Sequence, residues 1–104
     1  MKSILFLILS ALFIAANSNA STMLTETACE KEGEIKALWG QYNCQVNHES
    51  TSCKEVKKIR AKANLEMGVS IRSACAKGRF SKNRSVRDKA NAAHKNGTTK
   101  IASN

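Results

Sequence analysis

Residues 44–53, which read CQVNHESTSC from Cys44 to Cys53, decide the fold that the sequence predicts. Residues 47–51, between the two cysteines, are polar, which is typical of a loop. Apolar residues recur at helical spacing on both sides of it, so this stretch is expected to join two helices. Two helices joined by a short loop are expected to be antiparallel neighbours. The stretch therefore predicts a helical hairpin with a cysteine on each side of its loop.

The first helix of this hairpin is expected from about Thr27 to about Val46. Thr27 and Glu30 fit a capping box, and acidic residues crowd the first turns, where the helix dipole favours negative charge. Glu32 and Lys36 have the spacing and order of a favourable ion pair along the helix. The expected core stripe consists of Ala28, Ile35, Leu38, Trp39, Tyr42 and Val46.

The second helix is expected from Cys53 to about Lys77, with Gly68 as a possible kink inside it. Leu65 and Val69 lie on the face opposite its main stripe, so they are expected to pack against a third element. The main stripe consists of Val56, Ile59, Ala63, Met67 and Ala74.

A short third helix is expected from Val86 to about Lys95, closed by Asn96 and Gly97. Residues 98–104 are expected to be a frayed tail. The sequence thus predicts an all-α protein, which is a small disulfide-stapled antiparallel helical hairpin with a short third helix. A single domain is expected over residues 21–97.

Helix geometry distinguishes the three pairings that four cysteines allow. Cys29 and Cys44 would lie about 22 Å apart on one helix, and Cys53 and Cys75 about 33 Å apart on the other. A disulfide needs Cα atoms about 4.4–6.8 Å apart, so the bonds must cross between helices. The antiparallel hairpin predicts Cys44–Cys53 at its loop and Cys29–Cys75 at its open end. The unequal spacings leave a mismatch of about 10 Å, which a break near Gly68 or an early end to the second helix would absorb.

The N-terminal residues 1–20 predict a signal peptide. Lys2 precedes thirteen residues that are apolar except for Ser10, and Ser18 and Ala20 form the small-residue pattern that signal peptidase accepts. The apolar run is too short for a membrane span, which needs roughly 20 residues. The mature chain is therefore expected in the periplasm or outside the cell, without a transmembrane span, where cysteines form disulfides.

The positive charge of the chain, +9 in all, is concentrated in its second half. Residues 54–104 contain fourteen Lys and Arg against three acidic residues, whereas residues 21–53 contain two against five. The densest basic run is either a solvated surface or a docking site for an anionic partner, such as lipid headgroups, an envelope polyanion or an acidic protein. Nucleic acid is not the expected partner, because Phe80 is the only aromatic residue in the run. The candidate partner-binding residues are Lys77, Arg79, Lys82, Arg84, Arg87 and Lys89.

Two small groups could carry chemistry, but neither has the surroundings that catalysis needs. Cys44, His48 and Cys53 could bind zinc if their thiols were free, and His48 with Glu49 could act as an acid–base pair. The export signal favours oxidised cysteines, and the sequence contains no nucleophile motif or phosphate-binding loop. We therefore expect a non-enzymatic protein without a cofactor.

The whole-chain profile resembles the KikA-like host-killing proteins of conjugative plasmids. The resemblance rests on the length of 104 residues, the leader from Met1 to Ala20 and the short basic mature chain. It implies a plasmid-encoded envelope protein that is lethal to some recipient bacteria, and it implies no catalytic residues. The expected function is therefore a periplasmic interaction protein with a host-killing or conjugation-accessory role. The alternative is a secreted cationic effector that acts directly on anionic membranes.

Overall fold

The protein is helical throughout the range that the computed structural model describes, residues 23–102, and this range contains no strand. The signal peptide expected at 1–20 lies outside the described residues. Helix α1 covers residues 23–41 and is followed by α2 (Thr51–Met67), α3 (Ile71–Arg79) and α4 (Arg84–Ala102). Two disulfides join these elements. The predicted all-α, disulfide-stapled fold class is confirmed.

The two disulfides have the predicted nested pairing. Cys44–Cys53 closes the hairpin loop with its Cα atoms 5.5 Å apart. Cys29–Cys75 joins α1 to α3 with its Cα atoms 4.6 Å apart. All four cysteines are buried, so both bonds are part of the interior of the protein.

Helix α1 ends earlier than the sequence predicts, because the backbone turns at Asn43. Asn43 adopts the left-handed conformation with φ 51°, which asparagine tolerates better than most residues. The expected positions of Tyr42 and Val46 on the core stripe are therefore wrong, since both lie after the helix and are exposed. The capping box expected at Thr27 is also wrong, because α1 already includes residues 23–26.

The second predicted helix is two helices, separated at Gly68. Gly68 has φ 70° and its N–H donates to the carbonyl of Asn64, which ends α2. The side chain of Asn64 then accepts from the N–H of Ile71 at 2.9 Å, which positions the start of α3. The break predicted near Gly68 is thus confirmed, and a single helix to Lys77 is wrong. The break at Gly68 allows Cys75 to reach Cys29 although the cysteine spacings in the two arms of the hairpin are unequal.

Helix α4 is longer than expected. Asn83 caps its start, since its side-chain oxygen accepts from the N–H groups of Ser85 and Val86 at 3.0 and 3.3 Å. The helix then continues through Gly97 to Ala102. The predicted end at Asn96 and Gly97 is therefore wrong, and so is a frayed tail for residues 98–102.

Gly97 stands inside α4 because α1 crosses there at very close range. A Cβ atom on Gly97 would clash with the backbone carbonyl of Glu30, and a Cβ atom on Gly33 would clash with that of His94. Gly78 of α3 makes a similar close approach to the side chain of Thr25. These glycines are explained by contacts between helices and not by helix ends.

The core lies where α1 meets the other three helices, and it leaves part of α2 uncovered. Leu65 is 85% exposed, and Ile59 and Val69 are exposed too, so their predicted packing is wrong. The reason is that, within residues 23–102, α4 packs against α1 and α3 and does not approach α2. The buried core residues are Ala28, Cys29, Ile35, Val56, Ala63, Ile71, Cys75 and Ala90.

Candidate anion-binding cleft

The six candidate partner-binding residues surround the turn between α3 and α4. Lys77 and Arg79 end α3, Lys82 lies in the turn, and the other three lie in the first turns of α4. Two of the six side chains already contact a polar side chain of α4. The Nε of Arg79 donates to Asn91 at 2.8 Å, and the Nε of Arg84 lies 3.7 Å from the carboxylate of Asp88.

These six residues do not share one face. Arg87 and Lys89 are two positions apart on α4, which places them about 160° apart around the helix. Lys89 faces the acidic side of α1, where it lines a shallow cleft with Glu26 and Glu30. Arg79 lies on a different side, close enough to His94 to affect its titration. Partner binding by the six residues remains a prediction, but they do not form a single surface patch.

A second basic feature, which the sequence analysis missed, lies between α1, α2 and α3. It is a cleft of about 450 Å³ with four cationic side chains and one indole ring in its walls. We call it the Trp39 cleft, and its lining residues are Lys36, Trp39, Gly40, Lys57, Arg60 and Arg72.

Helical spacing and the Gly68 break bring these residues together. Lys36, Trp39 and Gly40 lie at positions i, i+3 and i+4 of α1, so they share one side of that helix. Lys57 and Arg60 of α2 have the same i, i+3 spacing. Arg72 is the second residue of α3, so its position depends on the turn at Gly68.

A buried ion pair fixes one wall of the cleft. The guanidinium of Arg60 makes two hydrogen bonds with the carboxylate of Glu32, at 2.5 and 3.0 Å. Glu32 is 3% exposed, and the Arg60 side chain is 27% exposed. The ion pair that the sequence predicts between Glu32 and Lys36 is replaced by this contact between helices, because Arg60 reaches the buried carboxylate with two N–H groups at once.

The other three cations of the cleft keep their charge uncompensated. Lys36, Lys57 and Arg72 form no ion pair with any residue in the described range 23–102. Among residues 23–102, the carboxylate that pairs with a residue of the lining is that of Glu32, and it is already engaged by Arg60. The Trp39 cleft is therefore a concentrated positive site.

His94 of α4 lies close enough to Glu32 and Lys36 for their charges to affect its pKa. Burial is the main cause that lowers the pKa of His94 from its ordinary value of 6.5, and the charges of Arg79 and Lys36 lower it further. The carboxylate of Glu32 opposes the effect. Its Nε2 is buried and has no hydrogen-bond partner among the described residues. The imidazole is therefore favoured in its neutral form.

The hairpin loop contains the groups that could carry other chemistry. The Nε2 of His48 lies 3.6 Å from the carboxylate of Glu49, and both side chains are more than half exposed. Cys44 and Cys53 are bonded to each other, so the zinc site considered for them and His48 lacks its two thiolates. Within residues 23–102, no group of three or more His, Cys, Asp or Glu side chains is arranged to hold a metal ion.

The sequence gives only a partial signal for the Trp39 cleft. Trp39 was assigned to the core, and it does pack against the core, but it is partly exposed and forms a wall of the cleft. The cationic residues are spread over positions 36–72, outside the densest basic run. Their convergence could be found only from the packing of three helices.

Comparison with known proteins finds no protein family, no curated relative and no solved structure that matches this chain. Among the helices of residues 23–102, none is both long enough and apolar enough to cross a membrane. The function is therefore inferred from the residues of the chain itself.

Proposed function

We propose that this protein is an exported, non-enzymatic docking protein that binds a phosphate-bearing anionic lipid surface through the Trp39 cleft. The observation that carries the proposal is the set of three unpaired cations around one cleft. Cations that are clustered and uncompensated attract anions more strongly than the same number of cations in ion pairs. The cleft therefore concentrates the attraction of the whole basic chain at one place.

The scaffold favours docking without a large change of shape. The walls of the cleft come from α1, α2 and α3; Cys29–Cys75 ties α1 to α3, and Cys44–Cys53 ties the turn that follows α1 to α2. The Glu32–Arg60 pair adds a third link between α1 and α2. Such links reduce the freedom that the walls would lose on binding.

The place of action that we propose is the bacterial envelope. Two disulfides are compatible with an oxidising compartment, which agrees with the signal peptide expected at residues 1–20. The resemblance to the KikA-like host-killing proteins supports the same compartment and a plasmid origin. In this proposal the protein docks on the recipient or host envelope and acts there in killing or in conjugation.

The test is co-sedimentation of the full mature chain with vesicles that contain phosphatidylglycerol, compared with vesicles of phosphatidylcholine alone. One variant replaces Lys36, Lys57 and Arg72 with Gln. A basic residue close to an anionic membrane contributes about 1 kcal/mol, so the variant is expected to bind about a hundredfold more weakly. The binding is also expected to fall with added salt, because charges are screened beyond about 8 Å at physiological ionic strength.

The matched control removes the same number of charges from the predicted patch, as Lys77→Gln, Lys82→Gln and Lys89→Gln. It is expected to retain binding within about tenfold, because these residues lie outside the cleft. Equal losses in both variants would show that net charge alone attracts the protein. A larger loss in the control would place the docking site at the turn between α3 and α4 and would overturn the proposal.

One observation favours the second candidate, a cationic effector that disturbs membranes directly. Phe80 is 81% exposed at the turn between α3 and α4, beside the exposed cations Lys77, Lys82 and Arg84. An aromatic side chain among cations is suited to adsorb at a lipid interface. Release of a trapped dye from phosphatidylglycerol vesicles, lost in a Phe80→Ser variant, would support this candidate, whereas a docking protein is expected to bind without releasing the dye.

A further inference from the structure

We infer that the Trp39 cleft is a binding site for a phosphate monoester carried on a sugar ring. The inference rests on the proposed docking function and names the headgroup chemistry that the cleft would prefer to the singly charged phosphodiester of phosphatidylglycerol. The size of the cleft agrees with this ligand, because about 450 Å³ lies in the range of small-molecule sites. Such a volume accommodates one ring and its phosphate group.

The charge of the cleft matches a doubly charged phosphate. A phosphate monoester carries a charge of about −1.5 to −2 at pH 7 and has three acceptor oxygens. Lys36, Lys57 and Arg72 supply three positive charges without partners in the described range. The fork of the Arg72 guanidinium can bind two phosphate oxygens together, and the two ammonium groups can add point charges.

The indole of Trp39 provides the second half of the site. It is partly exposed at the cleft and held from behind by the core, so its orientation is defined by packing. An aromatic face is a flat apolar surface, and the C–H face of a sugar ring can pack against it. When the cations bind the phosphate group, the sugar ring that carries it would lie within the same cleft.

The polar groups of the lining distinguish a sugar from a nucleotide base. Lys36, Lys57 and Arg72 are donors only, and the carboxylate of Glu32 is engaged by Arg60. Sugar hydroxyls can accept from these donors, and each O–H can rotate to direct its own hydrogen to solvent at the open cleft. The N–H donors of a base edge are fixed in the plane of the ring and would lack a side-chain partner in the lining.

Gly40 leaves the entrance beside Trp39 open. Apart from its chain neighbours and the nearby backbone of α1, no atom lies within 4 Å of the position that a Cβ atom would occupy on Gly40, in contrast to Gly33 and Gly97. A larger side chain at Gly40 can therefore enter the cleft without disturbing a contact between helices. Gly40→Leu provides a variant that blocks the site and also favours the helix, since leucine has a higher helix propensity than glycine.

The test uses the fluorescence of Trp39, because the chain contains one tryptophan. The mature protein is titrated with glucose 1-phosphate, glucose, inorganic phosphate and adenosine monophosphate. Glucose 1-phosphate is expected to change the emission saturably, and glucose and inorganic phosphate are expected to bind at least about tenfold more weakly. Gly40→Leu and Arg72→Gln are each expected to weaken glucose 1-phosphate binding by about tenfold or more.

The matched control is Lys62→Gln, which removes one charge from the same helix as Lys57 but from a side about 140° away. It is expected to bind glucose 1-phosphate as the parent does. Equal binding of inorganic phosphate would overturn the sugar subsite, and tighter binding of adenosine monophosphate would assign the ring to a base instead. Unchanged binding by Gly40→Leu would show that the ligand lies elsewhere.

The two proposals fail in distinguishable ways. If the protein binds phosphatidylglycerol vesicles but not glucose 1-phosphate, the sugar-phosphate site is wrong and the docking function remains. If it binds glucose 1-phosphate but not the vesicles, the site remains and docking on that lipid surface is wrong. If it binds neither, both proposals are wrong.

Discussion

The two sides of helix α1 differ in how their charges are used. On the side that meets α4, Glu30 and Glu34 both lie close to Lys100, at 3.3 and 3.6 Å, and the backbones approach closely at Gly33. Those carboxylates raise the pKa of Lys100, chiefly through its hydrogen bond to Glu30. On the side of the Trp39 cleft, Lys36 has no acidic partner in the described range. Charges on the closed side join helices, whereas three of the four cations of the cleft remain available to a ligand.

The disulfide that joins α1 to α3 is expected to have the largest effect on stability. Cys29–Cys75 spans 46 positions and Cys44–Cys53 spans 9, so loop-closure entropy predicts losses of about 4 and 2.7 kcal/mol when each pair is replaced by alanine. Guanidinium unfolding of the two double variants measures both free energies. A larger loss for the loop disulfide would contradict this ranking by loop length.

The buried ion pair between Glu32 and Arg60 is expected to have the next largest effect on stability. Glu32→Gln would leave the guanidinium of Arg60 without its buried counter-ion, which is expected to lower the free energy of unfolding by about 3 kcal/mol. Glu55→Gln, which removes an exposed carboxylate from its pair with Lys58, is the matched control with an expected loss under about 1 kcal/mol. Urea unfolding of both variants compares them directly, and similar losses would contradict the structural role of the buried pair.

Gly33 and Gly40 lie on nearly the same face of α1, about 10 Å apart along its axis, and only Gly33 has α4 beside it, so they offer the same substitution in two surroundings. Gly33→Ala would place its Cβ atom against the carbonyl of His94, which is expected to cost about 2 kcal/mol by overpacking. Gly40→Ala meets open space and is expected to stabilise the helix by about 0.8 kcal/mol. Thermal unfolding should therefore shift in opposite directions for the two variants. A stabilising Gly33→Ala would mean that α4 does not cross α1 at this point.

The smallest expected effect is a pH dependence from His94. Its neighbours are Arg79 on α3, and Lys36 and Glu32 on α1, the last paired with Arg60 of α2. Because its folded-state pKa is lowered, the unfolded chain takes up the proton first as the pH falls below 6.5. Stability from His94 is complete above that pH and is lost progressively until the folded imidazole is also protonated.

Thermal unfolding at a series of pH values between 7.5 and 5 checks this prediction, with pH points spaced by about half a unit. His94→Gln is expected to flatten the decline in the unfolding midpoint. His48→Gln, on the exposed loop, is the control and is expected to retain it. An unchanged decline in the His94 variant would assign the dependence to other groups.

The sequence predicts the helical hairpin and the disulfide pairing because both follow from helix geometry. Cys29 and Cys75 can bond only if the chain folds back, and the polar segment before Cys53 shows where it does so. The helix ends were predicted less well. Gly97 resembles a helix end in sequence, but it is an interior residue whose missing side chain admits the backbone of Glu30.

The Trp39 cleft could not be predicted in the same way. Helical spacing places Lys36 beside Trp39, but it does not indicate that Arg72 joins them after the turn at Gly68. The basic run is the more prominent candidate in the sequence, and the structure divides it between α3, the turn that follows it and different sides of α4. Charged residues that are close in sequence form one surface patch only where the helix places their side chains on the same side.

The sequence by itself determined the helical class, the concentration of positive charge and the pairing of the cysteines. These depend on composition and on periodicity within one helix, which neighbouring residues specify. The tertiary structure alone decided which charges are paired and which face a cleft. Those outcomes depend on how helices cross, and the crossings are set by close contacts such as Gly33 with α4 and by the bond between Cys29 and Cys75.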